Sequence, residues 1–399
     1  MENSSSNPVV IVGSARTPLG SFQGIFTGLK APDLGAIAIK AAVKRSGLSL
    51  EDPDEVLMGC VLSSGVGQAP ARQAAILAGL KQSTHCTTIN KVCGSGMKTI
   101  MLAHDALIME RNSIIVAAGA ESMTNAPYML DKARAGYRMG HGTIKDLMFV
   151  DGLEDAYSGK LMGFFAEKTA EKYNFSRKEQ DDFALSSLAK AIQARDSGNF
   201  ITELEITIST IKSKKGELIT VNNDEELAHA NPDKIRLLKP AFQEQGTVTA
   251  ANSSSISDGA AALVLMRLNE AKNRNLKPIA KILGFTSFAQ EPEWFTTAPV
   301  GALKSLFEKL KWSKDTPDLY EINEAFAVVT MAAIREFNLS PDKVNIYGGA
   351  CALGHPLGAT GTRIVTTLLN SLKNQGKSLG IASLCIGGGE ATAMAIEMM

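Results

Sequence analysis

Residues 87–119 read TTINKVCGSGMKTIMLAHDALIMERNSIIVAAG, and this stretch decides the fold. Thr87 to Val92 predicts a strand, Gly94 to Met109 a helix, and Ser113 to Ala118 a second strand stopped by Gly119. A helix of that length between two strands is the crossover that parallel strands need, so the unit is βαβ. Upstream the alternation continues. Val9-Val10-Ile11-Val12, ending in Gly13, is an apolar run suited to a strand buried on both faces. Pro32 to Ser46 carries Leu34, Ile37, Ala38, Ala41 and Ala42 at helical spacing and closes at Gly47. Val56 to Leu62 and Gln73 to Leu80 supply the next strand and helix. The order β-α-β-α-β-α-β predicts a mainly parallel, helix-covered layer.

The last third repeats the pattern. Ile279 to Phe285, Leu319 to Ile322, Val344 to Tyr347 and Leu379 to Cys385 read as strands, with helices at Val300 to Leu310, Glu324 to Phe337 and Gly358 to Leu372. The spacing agrees as well: Cys60 and Cys93 are 33 residues apart, as are Ile322 and His355. Two copies of one α/β unit packed face to face are the expected result. Between them, residues 122–255 are mixed polar sequence with one clear helix, Arg177 to Ser197, whose Phe183, Leu185, Leu188, Ala191 and Ile192 should point inward. A segment of this length does not stay structureless in a compact protein, so it is expected to fold over the core as a substrate-facing excursion. The expected domains are an N-terminal half at 1–121 completed by 256–276, a loop domain at 122–255, and a C-terminal half at 277–399.

Composition narrows the function. Across 399 residues, 41 Lys plus Arg balance 41 Asp plus Glu, so no net field draws the chain to nucleic acid or an anionic membrane. No apolar run approaches the ~20 residues of a membrane span. Five cysteines without paired spacing argue for free thiols in a reducing compartment, and residues 1–8 lack a signal core; a cytoplasmic location is the expectation. There is no phosphate-binding Gly-x-x-x-x-Gly-Lys-Ser/Thr, no Cys-x-x-Cys and no His-Glu-x-x-His, and Gly65-Val66-Gly67 lacks the third glycine of a dinucleotide turn. Nucleotide, zinc and hydride chemistry lose support, and no metal is assigned.

Thiol chemistry gains it. Cys93 stands between a predicted strand and helix, where free N–H groups and partial positive charge should lower a thiol pKa and hold a developing oxyanion. His355, in Gly354-His355-Pro356 before a helix, is an imidazole fixed in a constrained loop and suited to act as base for a nearby thiol. Cys385 opens Cys385-Ile386-Gly387-Gly388-Gly389, whose exposed amides form a second possible oxyanion cradle. Asn323, in Asn323-Glu324-Ala325-Phe326, can cap its helix or hold a water against a substrate carbonyl.

Together with Ser14-Ala15-Arg16-Thr17-Pro18, Gly119-Ala120-Glu121-Ser122-Met123 and Gly246-Thr247-Val248-Thr249-Ala250-Ala251-Asn252, these motifs closely resemble the thiolase family nearly end to end. The Asp151-Gly152-Leu153 and Leu161-Met162-Gly163 region is most similar to acetoacetyl-CoA thiolases. The resemblance implies two βαβαβαββ-type halves in a five-layered αβαβα core with an inserted loop domain. It implies acetyl-CoA C-acetyltransferase activity: Claisen condensation of two acetyl-CoA to acetoacetyl-CoA and CoA, and the reverse thiolysis. The alternatives are a broader 3-ketoacyl-CoA thiolase and a non-catalytic acyl-CoA-binding relative. Cys93 would be acylated, and His355 would activate it and, with a water held by Asn323, bind the second thioester oxygen. Cys385 would exchange the α-proton, and the amides of Cys93 and Gly387 would form the other oxyanion hole. Leu153, Met162, Ser254 and Phe326 match positions lining the pantetheine or acetyl pocket, and Phe295 with Phe326 should close its acyl end. Acyl-CoA and CoA would be the partners, with no further cofactor and a dimer or tetramer as the assembly.

Three residues depart from the family pattern. Leu161 stands where acetoacetyl-CoA thiolases usually have His, Phe183 where potassium-activated relatives carry Tyr, and Glu390 where a neutral residue is usual. An unpaired Glu390 carboxylate would raise the Cys385 pKa. Residues 224–236 match poorly, leaving Lys234 and Arg236 as candidate phosphate partners.

Overall fold

Alternate residues of the central strands feed different layers, the mark of strands covered on both faces. Along β1 (Val9–Arg16), Val9 and Ile11 enter one apolar cluster and Val10 and Val12 another, all four buried. The computed structural model describes residues 7–212 and 218–399. In the N-terminal half, β1 is followed by α1 (Ala31–Ser46), β2 (Glu55–Gly59), α2 (Pro70–Ala78), β3 (His85–Ile89), α3 (Ser95–Ile108) and β4 (Ile114–Ser122). An excursion containing α4 (Met162–Tyr173) and α5 (Arg177–Asp196) intervenes before β5 (Ser257–Arg267). The C-terminal half runs β6 (Ala280–Ala289), α6 (Ala298–Leu310), β7 (Leu319–Ile322), α7 (Ala327–Phe337), α8 (Leu357–Asn374), β8 (Leu379–Ile386) and β9 (Glu390–Met398).

The strands lie in the order β3-β2-β4-β5-β1 and continue β6-β9-β8-β7, joined where Val10 pairs Lys281 and Ile11 pairs Ala280. The second half repeats the order of the first in mirror sequence, down to a register shift at Ile11/Gly13 in β1 and at Ile282/Gly284 in β6. Helices α1 and α2 cover one outer face, α6 and α7 the other, and α3 and α8 fill the middle, giving five layers. The middle cluster takes Ile115 and Ala117 of β4 and Ala382 and Leu384 of β8; their neighbours Val116 and Ile381 face outward.

The sheet is mixed, where a mainly parallel layer is predicted. Only β2 with β3 and β4, and β7 with β8, are parallel; the other junctions are antiparallel. The difference comes from β5 and β9, two buried runs of small residues that return beside β4 and β8. Gly13 and Gly119 do not end their strands, which continue to Arg16 and Ser122. Glycine serves instead at close approaches: a Cβ on Gly119 would stand 2.3 Å from the Gly358 carbonyl oxygen. Val344 to Tyr347 is reduced to one bridge, Tyr320 to Val344. Asn345 (φ 46°) breaks the strand, and its side chain takes the ladder's place by accepting from Ile322 N–H and donating to Ile322 C=O, both at 2.8 Å. The loop domain holds a second long helix, α4, which periodicity did not reveal.

Two features of this fold place the site. The three-glycine turn joins β8 to β9, closed by the pair Ile386–Glu390; the whole excursion occupies the equivalent place between β4 and β5, closed by Ser122–Asp258. The amino ends of α3 and α8 also meet in the middle layer, where a Cβ on Gly361 would stand 2.1 Å from the Met97 nitrogen. Helix α8 is buried from Leu357 to Leu372, and threonine hydroxyls inside it donate to preceding carbonyls, as Thr366 does to Thr362 at 3.0 Å. Buried Arg16 ties the excursion down, with Nη1 and Nη2 on Asp224 at 2.7 and 2.9 Å and Nε on Glu203.

Candidate active site

Cys93 follows a strained elbow. Val92 is β-branched yet has φ 45°, a conformation costing ~1–3 kcal/mol that persists only where surroundings impose it. Here Ser95 Oγ accepts from Lys91 N–H (2.8 Å) and donates to the Val92 carbonyl (2.6 Å), while Asn90 Oδ1 accepts from Val92 N–H (2.9 Å). The elbow aims the Cys93 sulfur at the glycine turn after β8, so that the amides of Gly387 and of Cys93 itself donate to it. Those amides favour the thiolate, but burial outweighs them and pushes the thiol up to about 11. The lowered pKa expected from a helix terminus is therefore reversed by desolvation, and the thiol needs a base.

His355 has the free ring nitrogen that a base requires. Its backbone N–H donates to the Ser255 carbonyl at 3.1 Å, and Nδ1 lies 2.7 Å from Thr360 Oγ1, which itself donates to the Pro356 carbonyl at 2.9 Å. With its one proton so committed, the hydroxyl accepts from Nδ1–H, and the lone pair stays on Nε2. Among the described residues that buried Nε2 has no partner. Burial, then the Arg363 charge, lowers the imidazole to about 3, so it is neutral at physiological pH.

Cys385, fully buried, shares a cluster with Phe165, Phe295 and Phe326. Its thiol is raised by burial and then by the charge of Cys93. Glu390 does not contribute to that shift: it is paired with Lys91. Asn323, just past β7, donates its N–H to the Ser383 carbonyl (2.9 Å), and its Oδ1 lies 3.5 Å from Arg363 Nη2. Its buried Nδ2, among the described residues, has no partner.

Around these groups the wall is apolar. A Cβ on Gly387 would meet the Met162 sulfur at 3.5 Å and Val92 at 3.7 Å. The Phe326 ring lies edge-on to Phe242 (6.0 Å between centroids) and near Phe295 (6.5 Å), which in turn meets Phe165 (6.3 Å). Ser254 donates its N–H to the Ala325 carbonyl (3.0 Å), beside the Asn323 loop. Leu153 packs on the central cluster that includes Cys93 and Leu357. Leu161 is half-buried at the N-cap of α4, its backbone bridged to Glu154. Farther out, Arg236 is engaged by Asp182, whereas Lys234 lines a cleft with His229, Ser253 and Ser255.

Sequence reasoning passed over Thr360, Arg363 and Phe242. Thr360 and Arg363 lie one and two helical turns beyond the His355 loop, a spacing that could have marked them; Phe242 carried no local signal. Among the described residues no cluster of three or more His, Cys, Asp or Glu could hold a metal, and no helix is long and apolar enough to cross a membrane.

Comparison with known proteins shows the family. Residues 9–269 match the model for the thiolase N-terminal domain and 276–398 that for the C-terminal domain. Acetyl-CoA acetyltransferase 2 of Arabidopsis thaliana is 46% identical over 398 residues, covering 99% of this chain and 98% of that protein. A Gibberella zeae protein named "Acetyl-CoA acetyltransferase ERG10, cytosolic" is 44% identical over 390 residues and 98% of both chains. The crystal structure of Acat5 thiolase from Ascaris suum in complex with coenzyme A superposes with a TM-score of 0.93 at 41% identity, over 98% of this chain and 100% of that one. With the duplicated halves, the paired thiols and similarity sustained along almost its whole length, the chain belongs to the thiolase family.

Proposed function

We propose that the protein is an acetyl-CoA C-acetyltransferase, joining two acetyl-CoA to acetoacetyl-CoA and CoA and running the reverse thiolysis. One observation carries the reading: a buried thiol receives two backbone amides and lies near enough to a second buried thiol for its charge to be felt there, while a neutral imidazole keeps its Nε2 unprotonated. In the first half-reaction the Cys93 sulfur attacks the thioester carbonyl and its proton passes to His355 Nε2. The amides of Gly387 and Cys93 hold the oxyanion, the C–S bond to CoA breaks, and the proton leaves on the CoA sulfur. Acylation leaves Cys93 unable to ionise, so no charge on that sulfur opposes the Cys385 thiolate when it forms. In the second half-reaction Cys385, its own proton passed to His355 Nε2, takes an α-proton from the second acetyl-CoA, whose thioester oxygen is stabilised through Asn323 Nδ2. The resulting carbon nucleophile attacks acetyl-Cys93, and as that C–S bond breaks the proton held on His355 Nε2 passes to the Cys93 sulfur, restoring both thiols and the neutral imidazole.

The aromatic wall of Phe242, Phe295 and Phe326 favours a short acyl group over the broader ketoacyl reading. The cleft of about 270 Å³ lined by His229, Lys234, Ser253 and Ser255 suits pantetheine, with Lys234 toward the phosphates. No group beyond CoA thioesters is invoked. For the assembly we infer a dimer or tetramer: β3 is an edge strand, and Tyr128, Met139 and Tyr157 expose 68%, 97% and 80% of their surface on the excursion. A cytoplasmic location is inferred from the relative named cytosolic. Incubation with acetyl-CoA followed by peptide mass spectrometry should place one acetyl group on Cys93, and Cys93→Ala should lose turnover by several orders of magnitude. Acetyl on Cys351 or Cys385 with Cys93 free would overturn the reading.

A further inference from the structure

Glu121 takes no part in the steps above, yet it is fully buried between the two reacting halves. It sits on β4. Its Oε2 accepts from Val61 N–H (3.0 Å) and Gly358 N–H (2.8 Å), and its Oε1 from Leu62 N–H (3.0 Å) and the Cys60 thiol (3.7 Å). Val61 and Leu62 follow β2 in the N-terminal half. Gly358 belongs to the first turn of α8 in the other half, three residues after His355 and two before Thr360. The fit is tight: a Cβ on Gly358 would lie 2.8 Å from Glu121 Oε2 and 2.9 Å from the Cys60 Cα. A carboxylate there also complements the partial positive charge of the α8 amino end. The titratable groups facing it are Cys60, by hydrogen bond, and Cys93, whose thiol its charge pushes up. Burial holds the Glu121 carboxyl near 7 against three amides that pull the other way.

We propose that Glu121 is a positioning residue that clamps the amino end of α8, and with it the Thr360–His355 pair, against the half carrying Cys93. This rests on the assignment of Cys93 as nucleophile and His355 as base. The clamp needs both oxygens as acceptors, since each is already committed to backbone N–H groups. In Glu121→Gln the amide NH₂ would face Leu62 N–H in one orientation, or Val61 and Gly358 N–H in the other. Glu121→Asp keeps the charge but is one carbon too short to reach both halves.

The test combines turnover with the pH profile of Cys93 alkylation by iodoacetamide. In E121Q, kcat should fall ~10- to 100-fold, equivalent to about 1.4–2.8 kcal/mol, with KM within roughly twofold of wild type. The alkylation midpoint of Cys93 should at the same time move to lower pH, because a charge that disfavours its thiolate is gone. Slower turnover from a more reactive thiol is a signature that general loosening does not produce. E121D should lose turnover similarly while keeping the wild-type alkylation profile. Wild-type kcat in E121Q, or an unmoved alkylation midpoint, would overturn the proposal; should E121Q not fold, wild-type kcat in E121D would do so. Failure of the underlying assignment would show separately, as wild-type protein that still turns over after stoichiometric alkylation of Cys93.

Discussion

Thr360→Val isolates the hydrogen bond that leaves His355 Nε2 free. Valine matches threonine in shape, and the Pro356 carbonyl that loses the Thr360 hydroxyl still accepts from Ala359 and Thr360 N–H, both at 3.0 Å, so the loss falls on His355. Its Nδ1–H, paired at 2.7 Å in the native site, would be left buried without an acceptor. That state costs ~1–3 kcal/mol. The imidazole can escape the cost only by moving its proton to Nε2, which disables the base. Either route lowers the competent population, and ~1.4–2.8 kcal/mol corresponds to a 10- to 100-fold fall in the rate of Cys93 acylation. A single-turnover experiment with acetyl-CoA, following acetyl-Cys93 by quenched mass spectrometry, reads that step directly. Thr360→Ser should recover most of the rate, because its hydroxyl can occupy the same place. If folded T360V acylates Cys93 within twofold of wild type, the tautomer argument is wrong and Thr360 serves only to close the first turn of α8.

Three further outcomes follow from the same geometry. Cys385→Ser should acetylate Cys93 in one turnover yet fail to release acetoacetyl-CoA; equal loss of both steps would make Cys385 structural. Four-carbon ketoacyl-CoA should be the best substrate, one extra carbon tolerated and six or more poor, each methylene that does fit gaining up to ~0.8 kcal/mol; Leu161→His should sharpen the preference through KM more than kcat. Cleavage of an eight-carbon substrate as fast as acetoacetyl-CoA would refute the closed aromatic wall. The His355 pKa, depressed to about 3, makes the unfolded chain the better proton binder below 6.5, so the stability His355 contributes is fully present above 6.5 and is lost as pH falls toward 3. His355→Asn should accordingly unfold at lower pH than wild type in an acid titration followed by circular dichroism, and an unchanged midpoint would contradict the buried neutral imidazole.

The duplicated α/β plan was legible because it rests on local signals: apolar runs for strands, 3.6-residue spacing for helices, and glycine at the turns. The strand β7 is observed at Leu319–Ile322 as read, and α1 begins only one residue before the predicted Pro32. Strand direction was not legible. The run β5 follows an excursion of more than a hundred residues and pairs with β1 and β4 through contacts that no local pattern encodes. Val344 to Tyr347 has strand composition, but the Asn345 side chain supplies the hydrogen bonds a strand would have made.

The reactive residue types and their surroundings were set by sequence alone, since a thiol before a helix, an imidazole held by glycine and proline, and a glycine-rich turn are defined by neighbours in the chain. Their electrostatics were decided by the tertiary structure. Burial pushes the Cys93 thiol up to about 11 rather than below an ordinary thiol, and holds His355 down at about 3, because both halves of the sheet and the two central helices exclude water from them. Glu390 is harmless to Cys385 because Lys91, from the other half, neutralises it. Glu121 acquires its relation to the site only when the amino ends of α3 and α8 cross backbone to backbone at Gly361. Local structure depends on short-range sterics and periodicity that a sequence displays, whereas desolvation and long-range pairing depend on which distant segments come to share one interior.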